Sequence, residues 1–388
     1  MPELQISVFS YFIKIYRPVL QSAGYSFLPI CVTGHAHKKQ YFMVTIYEIA
    51  KKANVSVGTV DRVIHKRGRV SRETAEKVNR LIKEMGYRPN VMARNLSLKK
   101  TYQMGILIPE REQDGGYWDL QAKGIDKAVQ DMQMYNVRSS FFYYDKYSEQ
   151  SFDTACQEVL EQKDKLAGLI IAPVLSKASE RFIRIIPEDL PYIFIDSYIP
   201  NSQCLSYIGQ DSIQSGVLAG KLMSLLVVSK GTIVIMRVLP EDYHITDRIE
   251  GFSSVLQSRK DIQIKMIDAD RMADHQILYK LARELSKMHE DLRGIFIPHA
   301  CAFQVAESLN GHLQSDGIHI IGYDLVEYNR KYLKDGIIDF IISQRPENQG
   351  FQAVSTLYKH VVLRQAVDQK IVIPMDIITR ENVNYYQI

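Results

Sequence analysis

After Thr101 the chain falls into an alternation that sharply limits its fold. Short apolar runs stand at 104–109, 168–172, 192–196, 231–236, 294–298 and 318–322, separated by longer stretches, several of helical period. Runs this short and this continuously apolar read as strands buried on both faces. Between them, 118–134, 213–228 and 248–258 predict helices that cover the sheet. Strand–helix repeats build parallel sheets, because parallel neighbours need a crossover long enough to carry the chain back. Residues 102–388 are too many for one such sheet, so the expected body is α/β with two lobes and parallel sheets. Ligands of such folds bind outside the carboxyl ends of the strands, here a cleft between the lobes.

Ahead of that body the charge changes sign. Residues 43–100 hold 14 Lys and Arg against 5 Asp and Glu, whereas 101–388 hold 30 against 38. A basic head on an acidic body suits a polyanion-binding domain joined to a domain of another kind. A solvated basic face would give the same count.

Local signals in the head are dense. Thr45 and Glu48 have the spacing of a capping box, and Ile46, Ile49, Ala50 and Ala53 form the stripe of a short helix. Asn54 tolerates a left-handed turn and Ser56 can cap a second helix over 57–64, burying Val60, Val63 and Ile64. A third follows Ser71, striped at Ala75, Val78, Ile82 and Met85 and closed by Gly86. Three short helices with a tight turn between the first two make an all-α helix-turn-helix unit. Beyond Pro89, Asn90 can cap one more helix over 91–98, too short to stand alone. The expected domains are therefore a helix-turn-helix unit at 43–89, a hinge helix and linker at 90–101, and the two-lobed body at 102–388. Residues 1–42 lack period, caps and charge logic. Met43 is the expected initiator, with 1–42 an extension from a misassigned start or, second, a disordered arm.

These motifs resemble the lac repressor family (LacI/GalR type) from Met43 onward. The head carries Val44-Thr-Ile-Tyr-Glu-Ile-Ala50, Ala53-Asn-Val-Ser-Val-Gly-Thr-Val-Asp-Arg-Val63, Gly86-Tyr-Arg-Pro-Asn90 and Ala93-Arg-Asn-Leu96. The body carries Arg248-Ile-Glu-Gly-Phe252, Gly322-Tyr-Asp324 and Gln344-Arg-Pro-Glu-Asn-Gln-Gly350, and is similar to the fold of periplasmic sugar receptors. The resemblance implies a DNA-binding transcription regulator, a repressor controlled by a small effector, most naturally a sugar or sugar derivative. It places Val57, Gly58 and Arg62 on the base-reading face, Arg62 being able to donate twice to guanine; a surface salt bridge is the alternative. Asp61 either orients Arg62 or accepts from cytosine. Thr45, Tyr47, Ser56, Thr59, His65 and Ser71 match positions that hold phosphates or groove edges, or else act as plain helix caps. Asn90, Ala93 and Leu96 fall in the hinge segment, with Leu96 matching a leucine that opens a base step in the minor groove; a buried linker residue is the alternative. Pairing of two hinge segments implies a homodimer on a near-palindromic operator.

For the effector cleft the resemblance and strand ends nominate Tyr117, Trp118, Asp196, Arg248, His299, Asp324 and Gln344. Trp118 either stacks on a sugar face or packs in the core. His299 departs from the asparagine common in the family, which loosens any transfer of sugar identity. His244 is expected in the loop preceding Arg248.

Other classes find little support. The chain has no phosphate-binding glycine loop, no nucleophile elbow and no metal motif, so no enzyme, cofactor or metal is expected. Cys31, Cys156, Cys204 and Cys301 stand too far apart for a zinc knuckle and read as free thiols. No apolar run reaches the ~20 residues of a membrane helix, and no leader is recognisable, which suits a cytoplasmic protein. A sugar receptor without a DNA role is the rival reading, and the basic head argues against it.

Overall fold

The computed structural model of this 388-residue chain describes residues 44–386, except 65, 66, 69, 88–99, 240, 241, 271–282, 286, 289 and 310–316. His65, Asn90, Ala93 and Leu96, with the hinge helix, therefore lie outside the described residues. The chain divides into two compact units at the 89/90 boundary.

In the first unit, α1 (Ile46–Ala53) starts from a complete capping box. Thr45 Oγ1 accepts from Glu48 N, and the Glu48 carboxylate accepts from Thr45 N at 2.7 Å. Asn54 turns the chain in the left-handed region (φ 54°), and Ser56 Oγ accepts from Thr59 N at 3.1 Å to open α2 (Val57–Ile64). Ser71 caps α3 (Arg72–Glu84), with Gly86 beyond its end at φ 63°. Ile49, Ala50, Ala53, Val60, Val63 and Val78 form the core. The apolar stripes of the three helices converge on it.

The second unit has two lobes. In the first, β1 (Tyr102–Pro109), β2 (Val137–Tyr144), β3 (Leu166–Ile171), β4 (Tyr192–Ile195), β5 (Ser206–Gly209) and β11 (Lys370–Val372) form a parallel sheet ordered β2-β1-β3-β4-β5-β11. Around it lie α4 (Gln113–Asp131), α5 (Glu149–Glu161), α6 (Ser176–Ile183) and the late helix α11 (Pro346–Val361). The second lobe repeats the plan with β6 (Gly231–Leu239), β7 (Ile262–Asp270), β8 (Leu292–Phe296), β9 (His319–Tyr323), β10 (Phe340–Ser343) and β12 (Asp376–Ile378), ordered β7-β6-β8-β9-β10-β12. Its described helices include α7 (Ser212–Leu226), α8 (Tyr243–Leu256), α9 (Ala302–Leu309) and α10 (Glu327–Lys334).

One strand corrects the all-parallel expectation: β12 runs antiparallel to β10. Only residues 373–375 separate β11 from β12 as the chain passes between lobes. That is too short for a crossover, so β12 enters from the cleft side in the opposite direction. The edge strands β2 and β7 carry exposed polar positions, and their sequences lack the continuous apolar run that marks the central strands.

Close helix pairs frame the cleft on both sides. A Cβ on Gly216 of α7 would stand 2.1 Å from the Arg248 carbonyl oxygen of α8, and one on Gly251 of α8 would stand 2.1 Å from the Ile213 oxygen. The same device joins α4 to α11, where Gly124 meets Glu347 O and Gly350 meets Gln121 O. Backbones this close exclude any side chain, so Arg248 sits on a helix pressed against the segment that enters its lobe.

Candidate functional site

On the head, α2 presents Gly58, Asp61 and Arg62 to solvent, with Val57 and Thr59 half-buried. Thr45, Ser56 and Ser71 are exposed at helix starts, and Tyr47 is 71% exposed on α1, an unusual exposure for a ring. Gly58, Asp61 and Arg62 of α2 and Thr45, Tyr47, Ser56 and Ser71 are thus all exposed on the head. Asp61 has interactions of its own.

In the body, all seven residues expected at the cleft line one cavity, joined by Asp114, Lys146, Asp242 and His244. The strand following pattern explains the placement. Tyr117 and Trp118 begin the regular part of α4 after β1, behind a break at Asp114, Gly115 and Gly116 (φ 58°, 70° and 89°). That left-handed turn aims the Asp114 carboxylate back at the cleft, where its Oδ2 accepts from Trp118 Nε1 (2.8 Å) and Oδ1 from Lys146 Nζ (2.5 Å). Trp118 is 2% exposed and meets Tyr117 edge-on at 5.0 Å. Asp196, just past β4 at φ 68°, accepts from the Tyr117 hydroxyl at 2.5 Å, while its own N–H donates to Gln349 Oε1.

From the second lobe comes Arg248, 1% exposed. It lies one turn into α8, and His244 is in the first turn of that helix, a correction to the loop expected there. Asp242, at the N-cap, accepts from Ile245 N and starts the helix earlier than the apolar stripe indicated. Arg248 donates to Pro298 O (3.0 Å) and Gln344 Oε1 (2.9 Å), and its guanidinium lies 4.0 Å over the Tyr323 ring. Its buried Nε meets no acceptor among the described residues. Asp324, past β9 at φ 60°, accepts from Gln344 Nε2 at 3.0 Å. Behind these, the Asn329 amide donates to Ala300 O, Tyr323 O and Asp324 O, tying together the loops after β8 and β9.

The lobes are closed on one another. Lys146 Nζ of the first lies 3.0 Å from His299 Nε2 of the second. Tyr198 donates to Asp247 at 2.8 Å, and Tyr243 donates back to Glu180 at 2.9 Å. Electrostatics follow from burial. Burial pushes Asp324 up to about 7, with Arg248 opposing and Asp196 adding to the shift. Burial acts the same way on Asp114, but the Lys146 charge and His299 overcome it and hold the carboxyl below its usual range. Burial and the neighbouring Lys146 push His299 down to about 3, leaving a neutral imidazole. Asp242 is likewise held low, His244 outweighing its burial.

Asp114, Lys146 and Asp242 escaped the sequence reading. Lys146 follows an edge strand with no clear apolar run, and Asp114 depends on a turn that only Gly115-Gly116 hints at. Asp242 carried the one usable signal, an N-cap residue three ahead of Ile245.

Comparison with known proteins matches "Bacterial regulatory proteins, lacI family" over residues 45–90 and "Periplasmic binding protein domain" over 105–365. The ribose operon repressor of Lactococcus lactis subsp. lactis (strain IL1403) is 27% identical over 348 residues, covering 88% of this chain and 98% of that protein. The crystal structure of a putative LacI transcriptional regulator from Bacteroides fragilis is 30% identical, with TM-score 0.67, over 74% of this chain and all of that one. A solute binding protein from Burkholderia graminis C4D1M in complex with D-arabinose, 19% identical, shares the fold of the body (TM-score 0.66, 74% of this chain and 98% of that one). Among the described residues no helix is long and apolar enough to cross a membrane. With a helix-turn-helix head and a two-lobed periplasmic-binding-protein body, this chain belongs to the lacI family of bacterial regulatory proteins, DNA-binding transcription regulators and not enzymes.

Proposed function

We infer that this regulator binds a near-palindromic operator as a homodimer and is switched by a small polyhydroxylated effector, a sugar or sugar derivative, held between its lobes. One observation carries the effector half. Planar and carboxylate groups from both lobes converge on a single buried space lined by Trp118, and Arg248 keeps a buried donor with no acceptor among the described residues. A sugar presents vicinal oxygens to such a fork and an apolar face to a ring. The names of a ribose operon repressor and of a D-arabinose complex among similar proteins support the same class.

The DNA half rests on α2. Arg62, with Val57 and Gly58, reads base edges in the major groove, while Thr45, Tyr47, Ser56, Thr59, His65 and Ser71 fix the head on phosphates. Residues 43–89 form that head, and the segment 90–101, with Asn90, Ala93 and Leu96, pairs across the dimer and opens the minor groove. Lobe closure then changes how two bodies pair and whether two hinge helices coexist. Effector and operator are linked by a coupling free energy of ~1–3 kcal/mol.

An operator selected from random duplexes tests both halves. Arg62→Ala should lose roughly 1–3 kcal/mol of discrimination at one base pair in anisotropy titrations, with weak binding to random DNA retained. Arg248→Ala should abolish the melting-temperature rise caused by the effector and leave operator binding without effector intact. Full operator preference in the first variant, or a full effector response in the second, removes that residue's role.

A further inference from the structure

Behind the cleft wall one side chain joins groups from its two sides. Gln349, in the first turn of α11, is fully buried and lines no part of the cavity. Its Oε1 accepts from the Asp196 backbone N–H at 3.0 Å and from Gln121 Nε2 at 3.2 Å, and its Nε2 donates to Gln344 O at 3.0 Å. A peptide N–H only donates and a peptide carbonyl only accepts, so these two backbone partners fix which end of the amide points where. Gln121 is oriented in turn, because only its Nε2 can face the Gln349 oxygen. That same Nε2 also donates to the Tyr117 hydroxyl at 3.2 Å.

Each partner of Gln349 leads to a group that lines the cleft. The Asp196 N–H belongs to a left-handed turn (φ 68°) that aims the carboxylate at the cavity and the Tyr117 hydroxyl. Gln344 is the first residue past β10, where the chain leaves the second lobe to enter α11 of the first. Its side chain accepts from Arg248 and donates to Asp324. An unbroken hydrogen-bonded path therefore runs from Tyr117 and Asp196, through Gln349, to Gln344 and Arg248. Asp196, Gln121, Gln344 and Arg248 are all at most 3% exposed. A break at Gln349 would leave a peptide N–H on one side and a peptide carbonyl on the other without partners or water.

Resting on the assignment of this cleft to the effector, we propose that Gln349 is a positioning residue of the effector site. It touches no effector itself. It holds Asp196 of the first lobe in register with Gln344 and Arg248 on the other side, and so sets both effector affinity and the closed state of the cleft.

The test uses the full chain and its single tryptophan, Trp118, which is buried in the cavity wall. Variants of similar side-chain size break the path differently. Gln349→Met removes both ends. Gln349→Glu keeps the acceptor toward Asp196 and can donate to Gln344 O only while its carboxyl is protonated. The D-aldopentoses, D-glucose and D-galactose are titrated by calorimetry and Trp118 fluorescence, and the tightest binder to the wild-type chain is the probe. Gln349→Met should bind it roughly tenfold more weakly, the effect of losing a buried hydrogen-bonded link. Without any sugar, acrylamide should quench Trp118 of that variant roughly twofold more strongly, as the open population grows. In Gln349→Glu the affinity relative to wild type at the same pH should recover as pH falls, a ratio that cancels the titration of Asp196, Asp242, His244 and Asp324. A residue that only supports the fold would lower the melting temperature of both variants and leave the dissociation constant, the quenching and that ratio unchanged. Wild-type affinity and quenching in folded Gln349→Met overturn the proposal, and so does a Gln349→Glu ratio that ignores pH. Should no sugar bind the wild-type chain, the sugar reading of the cleft falls, and Trp118 quenching in the two variants decides the role of Gln349.

Discussion

Asp324 shows how far burial alone can move a single side chain. Its folded-state value, about 7, stands above the ordinary 3.8. The folded chain therefore holds this proton more firmly than the unfolded chain. The resulting stability is complete below pH 3.8 and is lost as pH rises through about 7. Asp114 and Asp242 act in the opposite sense, since their depressed values give stability that disappears as pH falls through them. In Asp324→Asn the fall between pH 3.8 and 7 should flatten, a relative gain of roughly a few kcal/mol at the alkaline end. Melting temperature against pH for both proteins measures it, and parallel curves would place the titration elsewhere. The identity of Asp324 as a cleft residue was legible, because a carboxylate directly after an apolar strand faces the open end of the sheet. Its charge state was not, since that depends on Arg248, Asp196 and Gln344, brought in from distant segments.

Among the elements, the two helix pairs and α2 respond oppositely to the same substitution. Gly216→Ala puts a methyl carbon 2.1 Å from the Arg248 carbonyl oxygen, so α7 and α8 must separate. Overpacking of this kind costs typically 1–3 kcal/mol, and because Arg248 moves with α8, effector affinity should fall together with stability. Gly58→Ala on α2 meets nothing closer than Ser56 Oγ at 3.8 Å. There the added methyl should stabilise the head by roughly 0.5–1 kcal/mol through helix propensity and alter operator preference without loss of fold. Denaturant melts of both variants, with operator and effector titrations, separate the two cases; a silent Gly216→Ala would contradict the helix contact. Element by element, the head helices and central strands could be read from periods and caps. The edge strands β2 and β7, α11 and the break at Asp114 could not, because exposed positions on an edge dilute the apolar signal and a left-handed turn leaves only two glycines as its trace.

Over the whole body, closure combines apolar contacts of Ala300, Phe303 and Val326 with the first lobe's core and polar pairs between lobes. Tyr198 to Asp247, Tyr243 to Glu180 and Lys146 to His299 cross the gap near the cleft mouth or floor. Tyr198 and Tyr243 also stack on each other at 5.9 Å. Replacing both tyrosines by phenylalanine keeps that stacking and deletes two hydrogen bonds of about 1 kcal/mol each. Effector affinity should weaken roughly tenfold as the closed population falls, with little change in unfolding midpoint without effector. Calorimetric titration gives the first number and a denaturant melt the second. An unchanged dissociation constant would mean that closure is held elsewhere.

From its sequence alone this chain declares a basic three-helix head and a strand–helix body of two lobes, since periodicity, capping and strand ends are local properties, and its resemblance to the lac repressor family adds seven residues for the cleft. Tertiary structure alone decides the antiparallel β12, the glycine-paired helices, and the meeting of Asp114 with Lys146 and of Asp242 with His244 and Asp196. Those depend on chain crossings between lobes and on buried charge, quantities that no window of sequence contains.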